Sequence, residues 1–274
     1  MASPRIPFMH TTHRWENGKQ VLAEEDPITP EVPLSMRLFA GQEVSPVELA
    51  IAMRTPGEDA ALVMGYLFSE GVIHRAEDIM RTVSKQENQI DVYLAPHVQV
   101  AASLFDRQGV YASSCGLCGK RRLEQLEQHS CYFPIRSQPV IDAEWLAQCF
   151  KRLQNQQLMY NQTGGLHAAA LLDAQGHLLM IQEDVGRHNA LDKLVGVALQ
   201  QDMLPWRNHV LLLTSRISYE LVQKAAMTGV PIVAALGAPT SMALEGAAQA
   251  GITLVGFLKE DRFNCYTWPE RINF

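Results

Sequence analysis

Residues 209–237 read "HVLLLTSRISYELVQKAAMTGVPIVAALG", and this stretch decides the fold class. "HVLLLT" and "PIVAALG" are short, nearly continuous apolar runs, which are typical of strands buried on both faces. Between them, "SYELVQKAAMTG" has the length and composition of a helix, and its final glycine is a common C-terminal cap. A strand, a helix and a strand in this order indicate a parallel βαβ unit and therefore an α/β sheet.

The same alternation continues on both sides of this unit. Downstream, a helix at "SMALEGAAQAG" (241–251) leads to a strand at "ITLVGF" (252–257). Upstream, "LHAAALLD" and "HLLMIQE" are apolar strands joined at "AQG", which favours a hairpin, and a helix follows from about residue 188 to 200. We predict a largely parallel sheet covered by helices on both faces.

Four loops follow strands of this sheet: "EDVGRHN", "TSRIS", "LGAPTS" and "GFLKEDR". In such sheets, ligands bind outside the carboxyl ends of the strands, where loops open into helix N-termini. Arg187 and His188 begin a helix, whose N-terminal backbone N–H groups favour a phosphate. Ser215 and Arg216 lie in the second loop, and bidentate guanidinium groups suit a pyrophosphate. These four residues are therefore predicted to bind an anionic ligand.

The first half of the chain indicates a mixed α and β domain. A strand is predicted at "VPLSMRLFAG" (32–41), a helix after "TPGED" (55–59) and another strand at "QIDVYLA" (89–95). After the proline-bearing connection "FPIRSQPV", Asp142 is expected to cap a long helix that runs to about Tyr160. We therefore predict an N-terminal α+β domain over residues 1–137 and an α/β domain over residues 138–274.

Composition excludes several classes of protein. The chain has 274 residues, of which 47% are hydrophobic and 19% charged, as in globular proteins. A net charge of −6 predicts no nucleic-acid partner, because no broad basic surface is available. No apolar run approaches the ~18 residues of a membrane span, and the N-terminus lacks a signal-peptide apolar region. We expect a cytoplasmic protein with no membrane association, in which a structural disulfide is not expected.

Residues 113–120, "SSCGLCGK", contain a pair of cysteines, Cys115 and Cys118. Four interpretations are open: a thiol–disulfide exchange site, a zinc site completed by His129 and Cys131, two small residues of a loop, or a loop that carries sulfur. No second CxxC supports zinc, and the segment before Cys115 is too polar for the strand that a thioredoxin-like site needs.

The sulfur-carrying interpretation agrees best with the surrounding residues. Sulfur chemistry needs a thiolate, because the thiol is a poor nucleophile. Lys120, Arg121 and Arg122 follow the pair directly, and their charges favour the anion, as does the N-terminus of the helix predicted at 120–128. The flanking glycines and serines allow the backbone to move between a donor and an acceptor.

"SSCGLCGK", "TGGLHAAALLD", "EDVGRHNALDKLVG", "TSRISYELVQKAAMTGV" and "TLVGFLKEDRFNCYT" together resemble the formate dehydrogenase accessory sulfurtransferase family (FdhD). The resemblance extends from about Glu24 to the C-terminus. It implies an enzyme, a sulfurtransferase that accepts sulfur from a cysteine desulfurase as a cysteine persulfide. The acceptor would be the bis(molybdopterin guanine dinucleotide) molybdenum cofactor, which formate dehydrogenase requires. Cys115 would bear the persulfide, Cys118 would assist it, and the protein would be a homodimer.

The resemblance also implies a fold and a cofactor-binding loop. The C-terminal part would be a three-layer αβα domain of the cytidine-deaminase type, with a smaller N-terminal α+β domain, so that the chain is α+β overall. The cofactor-binding loop maps onto six consecutive residues: Phe257, Leu258, Lys259, Glu260, Asp261 and Arg262. The cofactor is bound as the acceptor of sulfur, and we expect no tightly held metal besides it.

Deaminase chemistry does not accompany the deaminase-like fold. Zinc deaminases need H-x-E followed by P-C-x-x-C, whereas His167 is followed by alanines and no CxxC comes after it. The function of His167 itself stays open between a buried structural side chain and a catalytic one. A non-catalytic chaperone that holds the cofactor for formate dehydrogenase, and a thiol–disulfide or zinc site at the cysteine pair, stay open as alternatives to sulfur transfer.

Overall fold

The computed structural model of the chain describes residues 7–40, 46–100, 134 and 138–274. Its first element is an antiparallel hairpin of β1 (Phe8–Glu16) and β2 (Lys19–Ile28). Asn17 and Gly18 connect the strands with φ angles of 51° and 83°, the left-handed backbone that two-residue hairpin turns require. This hairpin was not predicted, although Asn-Gly between two strands is a strong signal for one.

A four-stranded sheet follows, in the order β4-β3-β6-β5. Its elements are β3 (Val32–Phe39), β4 (Val47–Arg54), β5 (Ile79–Gln86) and β6 (Gln89–Leu94), with helix α1 (Asp59–Ser69) between β4 and β5. Strands β3 and β6 and helix α1 were predicted, and the structure confirms them. Strands β4 and β5 were not predicted, and their faces are mostly half-buried or exposed.

The second half contains the main sheet, in the order β13-β12-β11-β10-β8-β9. Its strands are β8 (His167–Asp173), β9 (Leu178–Asp184), β10 (His209–Leu213), β11 (Ile232–Ala235), β12 (Thr253–Gly256) and β13 (Asn264–Thr267). A small parallel pair joins β7 (Ile141–Asp142) to β14 (Ile272–Asn273).

This sheet is mixed, and the expectation of a largely parallel sheet was wrong in that respect. Only β10, β11 and β12 pair in parallel. Strand β8 is antiparallel to both of its neighbours, and β13 is antiparallel to β12. The predicted hairpin accounts for the pair of β8 and β9, because a tight turn reverses the chain without the crossover that a parallel neighbour needs. The pairing of β8 with β10 is set by the order of the strands.

Among the described residues, five helices accompany these strands: α2 (Ala143–Gln156), α3 (Tyr160–Thr163), α4 (Arg187–Gln200), α5 (Tyr219–Thr228) and α6 (Ser241–Gln249). The helix predicted to run to Tyr160 ends at Gln156. The carboxylate of Glu183 accepts hydrogen bonds from the backbone N–H groups of Met159 and Tyr160, at 3.1 and 2.9 Å, and holds the start of a separate helix. Asp142 makes no side-chain cap; it accepts a hydrogen bond from Asn273 instead.

Alternate side chains of the main sheet enter two hydrophobic clusters, so both faces are covered. On one face, Leu211, Leu213 and Val233 pack with α4, α5 and α6 and with the N-terminal sheet. On the other face, Val210 and Leu212 pack with α2 and with β7 and β14. The α/β fold class is thereby confirmed. The domain boundary at 137/138 stays a prediction, because most residues around it lie outside those described.

Helices α1 and α4 approach each other through glycines. A methyl group on Gly196 would lie 1.9 Å from the carbonyl oxygen of Ala61, and one on Gly65 would lie 1.8 Å from that of Asp192. Such contacts allow the two backbones to pack closely without intervening side chains. The first cluster is therefore continuous between the N-terminal sheet and the main sheet.

A buried ion pair also joins the two halves. The ammonium of Lys193 lies 2.6 Å from the carboxylate of Asp184, and both side chains are fully buried. Lys193 also donates to the carbonyl oxygen of Thr55, at 2.8 Å, and Asp184 accepts from the backbone N–H of Thr55, at 3.1 Å. Thr55 follows β4, so this ion pair attaches the end of the N-terminal sheet to the end of β9 and to α4.

No helix among the described residues is long and apolar enough to cross a membrane.

Replacement of Lys193 by methionine should lower the free energy of unfolding by about 3–5 kcal/mol, because Asp184 is left buried without its counterion. The double variant Lys193→Met with Asp184→Asn should recover part of this loss. Urea-induced unfolding measures both. Lys151→Met, on the exposed side of α2, is the control and should change stability by less than about 0.5 kcal/mol. A single variant as stable as the control would contradict the assignment.

Candidate functional site

The four loops predicted to bind a ligand do meet at one edge of the main sheet. Strand β9 is antiparallel to β8, and β8 is antiparallel to β10, so β9 runs in the same direction as β10, β11 and β12. These strands end at Asp184, Leu213, Ala235 and Gly256. The loops that follow therefore start at the same edge, where β8 also begins.

Backbone hydrogen bonds connect three of these loops. The N–H of Gly237 donates to the carbonyl oxygen of Ser215, at 3.2 Å, and the N–H of Ile217 donates to that of Ala238, at 3.1 Å. The N–H of Phe257 donates to the carbonyl oxygen of Gly237, at 3.2 Å. The loops after β10, β11 and β12 thus form one surface. Ser215 is buried within it, whereas Arg216 is exposed to solvent.

The loop after β9 is connected to this surface through His188. Its Nε2 atom lies 3.0 Å from the carboxylate of Glu220 and 3.4 Å from the hydroxyl of Ser218. The Ser218 hydroxyl donates to the same carboxylate, at 3.2 Å. His188 and Glu220 are both largely buried. Glu220 therefore orients the imidazole at the N-terminus of α4, a role that sequence reasoning did not assign to it.

Arg187 starts α4 beside His188. The Nε atom of Arg187 is buried and has no hydrogen-bond partner within the part of the chain that the structure describes. A structural pair of Asp184 with Arg187 was one expectation from the sequence. In the described residues, Asp184 forms an ion pair with Lys193 instead.

His167 begins β8 at this edge and is half-buried. Its pKa is lowered from 6.5, chiefly because burial disfavours the charged imidazole. The positive charges of Arg187 and His188 lower it further, and Asp184 acts in the opposite direction. His167 is therefore a neutral donor or acceptor at neutral pH, beside a positive rim.

The predicted cofactor-binding loop combines a buried anchor with exposed polar residues. The side chain of Leu258 is buried in the hydrophobic cluster on the α2 face, so it holds the loop to the core rather than contacting a ligand from solvent. Phe257 is 44% exposed and has a φ of 54°. The four residues after Leu258 are all exposed, and the N–H of Lys259 donates to the carbonyl oxygen of Arg262, at 2.8 Å. Their role in binding stays a prediction.

Cys115 and Cys118, and the candidate zinc ligands His129 and Cys131, lie outside the described residues. The other two cysteines are poor candidates for sulfur chemistry. Burial raises the pKa of Cys149 to about 12, against a small lowering by the charge of Arg152. Burial likewise raises the pKa of Cys265. Among the described residues, no group of three or more His, Cys, Asp or Glu side chains could hold a metal ion.

Comparisons with known proteins agree on one family. The model of the FdhD/NarQ family matches residues 31–273. A sulfur carrier protein FdhD of Streptomyces avermitilis is 43% identical over 262 residues, which cover 92% of this chain and 91% of the relative. A protein of the same name from Mycobacterium tuberculosis is 38% identical over 275 residues, covering 96% of this chain and 98% of the relative.

An archaeal relative and a solved structure extend this result. A sulfur carrier protein FdhD of Saccharolobus solfataricus is 39% identical over 250 residues, which cover 91% of this chain and 92% of the relative. A crystal structure assigned to a formate dehydrogenase accessory protein of Desulfotalea psychrophila has a TM-score of 0.72 and 22% identity. The matched region covers 98% of this chain and 100% of the chain in that structure. The two proteins therefore share an α/β fold.

The family match and the relatives together define the class of protein. It is an α/β protein whose relatives carry the name sulfur carrier protein. The chain belongs to the FdhD/NarQ family. The resemblance identified from the sequence motifs is thereby confirmed.

Replacement of His167 by glutamine should reduce the acid sensitivity of the fold. Because the native pKa lies below that of the unfolded chain, the unfolded state takes up a proton first, and stability falls as the pH drops below about 6.5. Glutamine cannot take up this proton. Urea unfolding at about pH 7.5 and about pH 5.5 should show a smaller difference for the variant than for the parent.

His209→Gln is the matched comparison. Burial lowers the pKa of His209 as well, and this residue begins β10 at the opposite edge of the sheet. The His209→Gln substitution should therefore also reduce the acid sensitivity of the fold. The effects of His167→Gln and His209→Gln on stability should add, because the two sites are independent. An unchanged pH dependence in His167→Gln would show that this imidazole is not kept neutral.

Proposed function

We propose that this protein is a sulfurtransferase that takes sulfur from the persulfide of a cysteine desulfurase and delivers it to the bis(molybdopterin guanine dinucleotide) cofactor for formate dehydrogenase. The observation that carries the proposal is the match of residues 31–273 to a family whose relatives are named sulfur carrier protein FdhD, in a chain with the cysteine pair "SSCGLCGK". The proposed setting is the cytoplasm, and the proposed active form is a homodimer.

Cys115 is the proposed persulfide bearer. Its thiolate attacks the outer sulfur of the desulfurase persulfide, the S–S bond of that persulfide breaks, and the desulfurase cysteine leaves as a thiolate. Lys120, Arg121 and Arg122 follow in sequence and favour the anionic forms at each stage. The raised pKa values of Cys149 and Cys265 support this choice, because neither is suited to act as a nucleophile.

Cys118 is the proposed resolving thiol. Its attack on the inner sulfur of the Cys115 persulfide would release the outer sulfur as sulfide to the cofactor and leave a Cys115–Cys118 disulfide. A thiol reductant then restores both thiols. Oxidation of the two thiols to a disulfide thus supplies the two electrons that reduce the transferred sulfur to sulfide. This explains why two cysteines are used to transfer one sulfur atom.

The proposed cofactor site is the sheet edge. Arg187 and His188 lie at the N-terminus of α4, where backbone N–H groups and the helix dipole favour phosphate. Ser215 and Arg216 lie in the adjoining loop. Lys259 and Arg262 are proposed to bind phosphate, and Phe257 to stack on a base. Glu260 and Asp261 are proposed to accept hydrogen bonds from guanine N–H groups. The unpartnered Nε of Arg187 supports an anionic ligand here.

A non-catalytic chaperone is the second candidate function. It would use the same sheet edge to hold the cofactor for formate dehydrogenase, but it would need no reactive thiol. The two functions differ in one respect, which is whether sulfur becomes covalently attached to the protein.

Cys115→Ala should abolish maturation of formate dehydrogenase. Protein incubated with a cysteine desulfurase and cysteine should gain the mass of one sulfur atom at Cys115 in the parent and none there in the variant. Cys265→Ala is the matched control and should load normally, because its thiol has a raised pKa. Undiminished maturation by Cys115→Ala would favour the chaperone. Cys118→Ala should load normally but deliver less sulfur.

Arg262→Ala should weaken the binding of guanosine diphosphate by about 1.5–3 kcal/mol, the usual contribution of a charged hydrogen bond. Calorimetry measures this, and adenosine diphosphate should bind the parent less tightly. Arg207→Ala is the control. Arg207 is also exposed, but it lies just before β10, at the opposite edge of the sheet. Equal losses in the two variants, or none in either, would remove Arg262 from the site.

A further inference from the structure

A pocket of about 400 Å³ opens at the same sheet edge, on the side covered by α2. The residues that matter for its chemistry are Gln157, Tyr160, His167, Thr214 and Leu236. They belong to the segment after α2, to helix α3 and to the ends of β8, β10 and β11. The predicted cofactor-binding residues do not line this pocket, but Leu258 donates its N–H to Ala235, the neighbour of Leu236.

Gln157 is the unusual residue of the pocket. Its side chain is 98% buried, since only 2% is exposed, and its amide Nε2 has no hydrogen-bond partner within the described residues. A buried donor without a partner costs about 1–3 kcal/mol, so such groups in folded proteins require an explanation. Gln157 lines a pocket. A ligand in this pocket that accepts a hydrogen bond from Nε2 would explain why the donor has no partner in the protein.

The segment that carries Gln157 is held firmly. Glu183 accepts hydrogen bonds from the backbone N–H groups of Met159 and Tyr160, and the carbonyl oxygen of Gln157 accepts one from the N–H of Asn161, at 2.9 Å. Glu183 is itself buried and lies near the end of β9. The position of the Gln157 segment is therefore coupled to the strand end that precedes Arg187 and His188.

The pocket is polar but uncharged. Apart from His167, none of its lining residues is titratable near neutral pH, and burial keeps His167 neutral there by lowering its pKa. Thr214 accepts a hydrogen bond from the N–H of Ala168, at 2.8 Å, so its own hydroxyl proton can be donated to a ligand. Tyr160 provides an aromatic surface at the mouth, where it is 38% exposed. A phosphate would find no cation here.

We propose that this pocket binds a planar lactam ring, of the kind found in guanine and in pterin. The ring carbonyl accepts hydrogen bonds from Gln157 and Thr214, because one carbonyl oxygen has two lone pairs for two donors. Adenine has an amino group at the corresponding position, which would face these donors. The proposal rests on the proposed function: each arm of that cofactor carries one guanine and one pterin, so this pocket and the exposed loop need not compete for one ring.

The test uses guanosine, pterin and adenosine, which lack phosphate and therefore do not depend on the arginines of the edge loops. Guanosine or pterin should bind the full-length protein, as measured by calorimetry, and adenosine should bind more weakly. Gln157→Leu should weaken the bound lactam about tenfold, as expected for loss of a buried hydrogen bond. Whichever of guanosine and pterin binds identifies the source of the ring.

Thermal unfolding distinguishes a lost ligand contact from a damaged fold. Gln157→Leu removes a donor that has no partner and keeps a side chain of similar volume, so the melting temperature should not fall. Gln156→Leu is the matched control, since Gln156 is exposed and does not line the pocket; it should bind all three compounds as the parent does.

Equal binding of adenosine and the lactams would overturn the assignment, as would lactam binding that Gln157→Leu leaves unchanged. Absence of any binding by guanosine and pterin would overturn it too. Persulfide loading of Cys115 in Gln157→Leu separates these outcomes from failure of the proposed function. Normal loading without lactam binding would remove the pocket and leave sulfur transfer standing, whereas absent loading in the parent would remove sulfur transfer itself.

Discussion

The contact between Lys193 and Asp184 is the constraint on which the arrangement of the site depends. Both side chains are fully buried, and each is a charge that the interior tolerates only when it is paired and hydrogen-bonded. The backbone of Thr55 supplies one hydrogen bond to each partner. The end of the N-terminal sheet therefore cannot separate from the end of β9 and from α4 without leaving charges unpaired, and α4 begins with two residues of the candidate site.

One short motif, "EDVGRHNALDK", combines residues with structural contacts and residues of the proposed binding site. Glu183 holds the segment before β8, and Asp192 pairs with Lys224 at 2.8 Å beneath α1. Arg187 and His188 lie between these structural residues and reach the sheet edge. These contacts fix the start of α4, so the groups proposed to contact an anionic ligand would not have to be ordered on binding, which would lower its entropic cost.

Sequence reasoning predicted the α/β class and the common edge of the four loops, because continuous apolar strands and helix caps are local signals. It missed three things that local signals do not carry. The antiparallel pairing of β8 with β10 depends on which strand neighbours which. The partner of Asp184 is nine residues away rather than three, and Glu220 acquires its role only because α5 lies beside His188. The hairpin turn at Asn17 and Gly18, by contrast, is a local signal, and the hairpin could have been predicted from it.

The site has a positive rim and an uncharged interior, and this division follows from burial. Arginine side chains can stay partly solvated at the rim and still reach a phosphate, whereas a charge inside the pocket would lose its hydration without a counterion. His167 lies between the two environments, and the fold keeps it neutral. A ligand with charged phosphates and neutral rings would match this division. Its phosphates would contact the charged donors of the rim, and a ring would contact the neutral donors of the interior. The buried donors of Arg187 and Gln157 have no partner within the described residues, and the proposed ligand would supply acceptors for both.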